Sequence, residues 1–161
     1  MLKHLKELEP LTRISLEEYD TDYIKRYAAE KTVELVVEYA ADLNCILLEG
    51  LDEPPAQTYY NTFQELARLG ILPGSLMPRL ASATGLRNRL VHRYEDIDNE
   101  TVYYSLKPLL RNYRRYARLI EEYLQAEESK GKRERKKRQT SHLSRTQAPG
   151  NVKRKTRGVR R

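Results

Sequence analysis

Between breaks made by proline and glycine, apolar residues recur at every third or fourth position through most of the first 127 residues, a helical rather than a strand spacing. The fold class is therefore all-α. A short first helix is predicted over about 2–12, and SLEE then sets Ser15 and Glu18 at capping-box spacing for a turn into a long second helix over about 22–49. Gly50 and Pro54-Pro55 end it. QTYYNTFQELARLG predicts a third helix over about 57–69 with Gly70 as its C-terminal cap, and PGS opens a fourth over about 75–94 with Ser75 as N-cap. Asp98 caps a fifth over about 99–127, in which Val102, Leu106, Leu109, Tyr113, Tyr116, Ile120 and Tyr123 make one buried stripe that Pro108 is expected to kink.

Charge divides the chain in two. Met1–Ser129 carries 16 Lys and Arg against 22 Asp and Glu, whereas Lys130–Arg161 carries 14 against 1, so the net +7 comes from the tail. The chain has room for one core-bearing domain, 1–129. Residues 130–161 have almost no large apolar side chains to offset the entropy of ordering, so a disordered basic tail is expected. Its Lys132, Arg133, Arg135, Lys136, Lys137 and Arg138 are candidates for holding RNA phosphates without sequence choice. The single cysteine, Cys45, excludes an internal disulfide and a cysteine zinc site, fits a reducing compartment, and is expected to be a small buried hydrophobe. No secretory apolar region and no run near the ~20 apolar residues of a membrane span are present, so a cytoplasmic protein without membrane contact is expected.

The fourth helix carries the informative chemistry, in RNRLVHRY at 87–94. At 100° per residue, Leu80, Ala83, Leu90, Val91 and Tyr94 fall within about 40° of Arg87, which places a guanidinium in the middle of an apolar stripe. Asn88 and His92 stack four apart at its edge, while Arg89 and Arg93 point to the opposite side. A guanidinium withdrawn from water needs an acid or a phosphate, because it cannot shed its charge. Glu38 and Asp42 form a narrow polar strip on the second helix, among Leu35, Val36, Tyr39, Leu43, Ile46 and Leu47, and this strip is expected to face Arg87. From the pattern alone, a purely structural ion pair at Arg87 and an ordinary wet helix side at Glu38 and Asp42 remain open.

Metal-free RNA cleavage uses such residues. The substrate's 2′-hydroxyl attacks the adjacent phosphate, a base takes its proton, an acid protonates the departing 5′-oxygen, and a fixed cation stabilises the charge between them. Histidine can fill either proton role and arginine matches phosphate geometry, with Asn88 placed to orient one of them. One histidine cannot easily stand on both sides of one phosphate, which favours a homodimer with paired Arg87 and His92 across a cleft. Phosphate-binding glycine loops, metal-binding histidine spacings and a serine triad are all absent from the sequence.

LRNRLVHRYEDIDNETVYYSL resembles the signature of HEPN-domain toxins of the HepT-like group, R-N-x-x-x-H-x-Y followed by Ile-Asp and a long helix, here Arg87, Asn88, His92, Tyr94, Ile97 and Asp98. VELVVEYAADLNCILLEG, TYYNTFQELARLGILPGSL and YYSLKPLLRNYRRYARLIEEYL extend the resemblance over roughly 15–126. It implies an up-and-down bundle of about five helices that dimerises, and a metal-independent endoribonuclease needing no cofactor. It also implies a toxin paired with an MNT-type minimal nucleotidyltransferase antitoxin in a type VII-like system, cutting tRNA or mRNA. By the same resemblance Arg87 and His92 are catalytic, Asn88 supports them, Glu38 and Asp42 line the cleft, and Tyr94 accepts the AMP groups whose bulk and charge block it. The sequence departs from the group in Cys45, where a polar residue is expected, and in the basic tail. The alternative function is a non-catalytic HEPN module that binds RNA or a nucleotide and partners a nucleotidyltransferase.

Overall fold

The computed structural model describes residues 1–92 and 98–146, with side chains to 135. Its helices run in the order α1 (Leu2–Leu11), α2 (Leu16–Thr21), α3 (Tyr23–Gly50), α4 (Tyr59–Arg68), α5 (Met77–His92) and α6 (Asn99–Thr146), and no strand occurs among the described residues. The chain divides into two units, Met1–Tyr123 and Leu124–Arg161.

Local chemistry sets most helix ends where the sequence predicts them. Ser15 Oγ accepts the Glu18 amide, but the result is the separate short helix α2, and Asp22 then caps α3 by accepting the amides of Ile24 and Lys25. The one long element expected after SLEE is thus two. Gly70, at φ +73°, closes α4: its amide donates to Ala67 O and that of Ile71 to Leu66 O, the paired bonds of a Schellman cap that need a left-handed residue. Asp98 caps α6 through the amides of Glu100 and Thr101. Ser75 does not cap α5, which starts at Met77 after a turn closed by Leu76 and Met77 on Pro73 O. Pro108 lies within a helix that runs on past it to Thr146.

In the first unit α3 is the central element, packed by α1, α4 and α5. Ala29, Val33, Val36, Val37 and Ala40 are fully buried on its inner face, and small side chains there let neighbouring helices approach. The predicted stripe of α6 is the core: Val102, Leu106, Tyr113 and Tyr116 have no exposure, Leu109 and Ile120 are buried, and Tyr123 packs against them half-buried. Burying so many tyrosines requires partners for their hydroxyls. Tyr113 donates to Leu80 O of α5, and Tyr116 donates to Asn44 Oδ1 at 2.7 Å, with Ala40 O at 3.1 Å, while the Asn44 amide donates to Thr62 of α4. Burial pushes both phenol pKa values above the usual tyrosine range, so the hydroxyls stay protonated donors.

In the second unit α6 continues through 130–146, where Lys, Arg, Glu and Gln are strong helix formers and a helix already under way needs no new nucleus. Glu127–Lys130 and Glu128–Lys132 pairs at 2.6 and 2.7 Å support the exposed turns.

Tyr116→Phe removes the donor to a buried carbonyl without changing packing volume, and should lower unfolding stability by about 1–3 kcal/mol. Guanidinium titration of both proteins checks this, and coincident curves would show that the bond contributes nothing.

Candidate active site

Arg87 is carried by the buried side of α5, between Leu80, Ala83, Leu86 and Leu90, which lock that helix against the core. Its side chain is only 18% exposed. The guanidinium meets the predicted strip of α3: Nη2 donates to Glu38 Oε2 at 3.5 Å, and Nη1 donates to Asn88 Oδ1 at 3.4 Å. Both contacts are long enough to be weak. Below it lies the Tyr59 ring at the start of α4, with Cζ 5.4 Å from the ring centroid, a cation–π distance. Arg87 Nε is buried and has no hydrogen-bond partner among the described residues.

Tyr59 records the electrostatics of this corner. Burial raises its pKa first, the Asp42 and Glu38 carboxylates add to that rise, and Arg87 opposes them. Asp42 is exposed one turn beyond Glu38, so the strip presents two carboxylates beside one guanidinium. Cys45 belongs to the same region and is exposed, not the buried hydrophobe expected from its apolar surroundings. Burial of its sulfur and then Asp42 raise its pKa and keep it a thiol. The sequence missed Tyr59 as a neighbour of Arg87, because only the fold shows which of many tyrosines the α3–α4 turn delivers there.

His92 is exposed at the end of α5, and Asn88 is exposed one turn before it. Helix pitch puts Asn88 about 100° and His92 about 140° from Arg87, so Asn88 stands between them and the imidazole leaves the helix on a different side from the guanidinium. Val91, expected in the buried stripe, is 41% exposed, so among the described residues the stripe ends at Leu90. Tyr94, Ile97 and Arg93 lie outside the described residues. Among the described side chains of the tail, Lys132, Arg133 and Arg135 are exposed, and those of Lys136, Lys137 and Arg138 are not described. No group of three or more His, Cys, Asp or Glu among the described residues could hold a metal, and no described helix is long and apolar enough to cross a membrane.

The profile of the family described as "Ribonuclease HepT-like" matches residues 1–120. The chain belongs to the HepT-like ribonuclease family. It is 36% identical over 123 residues to a protein of Aphanizomenon flos-aquae called tRNA nuclease HepT, an alignment covering 76% of this chain and 82% of that one. The HepT-like fold also appears in a tri-AMPylated HEPN toxin of Shewanella oneidensis solved in complex with its MNT antitoxin, with TM-score 0.68 and 17% identity over 74% of this chain and 89% of that one. A toxin–antitoxin structure with AMP-PNP matches at TM-score 0.68 and 16% identity, again over 74% and 89%.

A buried, under-bonded guanidinium contributes little to folding. Arg87→Met should therefore leave stability unchanged or raise it by about 1 kcal/mol. Thermal unfolding of the variant checks this, and a fall of several degrees would show that the contacts to Glu38 and Tyr59 are net stabilising.

Proposed function

We propose that the chain is a toxin-type endoribonuclease that cleaves tRNA without a metal, with Arg87, Asn88 and His92 as its catalytic set and Glu38 and Asp42 as the cleft wall. The observation that carries this reading is Arg87 Nε, a buried donor left open beside two long, weak contacts. A structural arginine has its fork saturated, whereas one waiting for a phosphate keeps donors in reserve. The tRNA nuclease relative supports the substrate class.

The reaction needs no protein nucleophile. The 2′-oxygen attacks phosphorus as a base takes its proton, the bond from phosphorus to the 5′-oxygen breaks, and an acid protonates that oxygen. The products are a 2′,3′-cyclic phosphate and a 5′-hydroxyl. Arg87 stabilises the charge on the phosphoryl oxygens, and histidines supply the proton steps. Since guanidinium and imidazole leave α5 in different directions, a homodimer with a shared furrow brings the set together across the two-fold axis. The apolar groups exposed near the site, Tyr39, Ile46 and Val91, suit that contact.

The antitoxin partner follows the toxins of the same fold, which are solved with MNT proteins. Tyr94, two residues beyond His92 in the motif, is the proposed acceptor: its phenol oxygen attacks the α-phosphate of ATP, forming a phosphodiester to AMP and releasing pyrophosphate. The added bulk and charge would compete with RNA for Arg87. Such a reaction on tRNA, supplied with ATP, belongs in the cytoplasm. Lys132, Arg133, Arg135, Lys136, Lys137 and Arg138 would hold RNA loosely.

Purified protein should cleave total tRNA in EDTA, and His92→Ala should lose cleavage by at least about 100-fold while still binding RNA. Binding without cleavage by the wild type would favour the non-catalytic module instead.

A further inference from the structure

The face of α5 turned away from Arg87 is not idle. With α6 it walls a cavity of about 500 Å³, the size of a small-ligand site, lined by the exposed arginines Arg79, Arg89 and Arg111. Among the described residues no carboxylate lines it, and none of the three arginines has an ion pair. That is unexpected in a first unit whose acids outnumber its bases, because stray guanidinium groups in such a chain readily find carboxylates.

The cavity also contains a buried polar group. Asn112 of α6 is 8% exposed and lines the cavity, yet its side chain makes no hydrogen bond among the described residues. Its amide opens onto the cavity, where a bound group could accept from it. The cavity's hydroxyls do not compete as donors, since Ser105 already donates to Val102 O and Thr101 to Asp98. Three guanidinium groups and one amide therefore face the space with their donors available.

We propose that this cavity is a second phosphate subsite, binding the ribose-phosphate backbone of the RNA that reaches the catalytic set. The proposal rests on the proposed ribonuclease reading. Arg89 precedes His92 by three residues, less than one ~5.4 Å turn of α5, so a strand leaving the imidazole passes directly onto this arginine. Arg79 and Arg111 continue the cationic track around the helix. The cavity holds phosphates and reads no base edges, so it adds affinity and direction to the strand rather than sequence choice.

Binding of a fluorescent single-stranded oligonucleotide, fully 2′-O-methylated so that it cannot be cleaved by its own hydroxyls, tests the proposal by anisotropy across a salt series. Full-length R79Q/R89Q/R111Q should bind about tenfold more weakly, and its slope of log affinity against log salt should fall by about 2, as expected for three lost single-strand phosphate contacts. R89Q alone should show part of the fall, and circular dichroism checks that each variant folds. K3Q/K6Q/K31Q removes the same charge from α1 and α3 and should change the slope much less. Equal losses in both triple variants, or no loss in the cavity variant, would overturn the proposal. So would a cavity variant that binds the oligonucleotide normally but no longer binds an MNT antitoxin, which would assign the cavity to an acidic protein surface. Cavity-dependent binding by a wild type that does not cut tRNA would leave this subsite standing and defeat the ribonuclease reading, whereas normal cleavage with an unchanged KM in the cavity variant would defeat the subsite alone.

Discussion

Arg87 sets the terms for the rest of the structure. A guanidinium largely withdrawn from water cannot lose its charge, so the surroundings must supply compensation, and here they supply it only in part: a distant carboxylate, a neighbouring amide and an aromatic face. Better compensation was available on the same strip of α3, where Glu38 and Asp42 stand four residues apart. On the proposed reading, incomplete pairing keeps the group's binding capacity for a phosphate. That is how preorganised electrostatic catalysis differs from structural ion pairing.

Such a group must be held by something rigid. The α3–α4–α5 corner owes its rigidity to α6, whose tyrosines reach across the core to bond α3 at Ala40 and Asn44 and α5 at Leu80. Phe63 meets Tyr113 and Tyr116 edge-on, at centroid distances of 6.2 and 5.9 Å, and ties α4 into the same cluster. Tyrosine suits this role because one side chain fills volume and also fixes orientation through its hydroxyl. The helices that carry Glu38, Tyr59 and Arg87 are therefore referenced to one another through a single buried network, while Asn88 and His92 remain exposed where a substrate can reach them.

The periodic features of this fold were legible in the sequence. The stripe on α6, the caps at Gly70 and Asp98, and the meeting of Arg87 with Glu38 follow from helical spacing, because residues on one face must share a neighbour. What depends on neighbours from elsewhere in the chain was not legible. Val91 and Cys45 have apolar sequence surroundings yet are exposed, and Tyr59 is indistinguishable from eleven other tyrosines until α4 is docked. The continuation of α6 to Thr146 was not legible either, because it depends on lysine, arginine and glutamate sustaining a helix already begun rather than on an apolar pattern.

If the open donor of Arg87 exists to meet the scissile phosphate, a crystal structure with a short RNA carrying a 2′-O-methyl group at the cleavage position should show it. A non-bridging phosphate oxygen is expected about 3 Å from Arg87 Nε, with an imidazole of His92 beside the 2′-oxygen or the 5′-oxygen. A bound strand whose phosphates all avoid Arg87, leaving Nε as unpartnered as before, would contradict it.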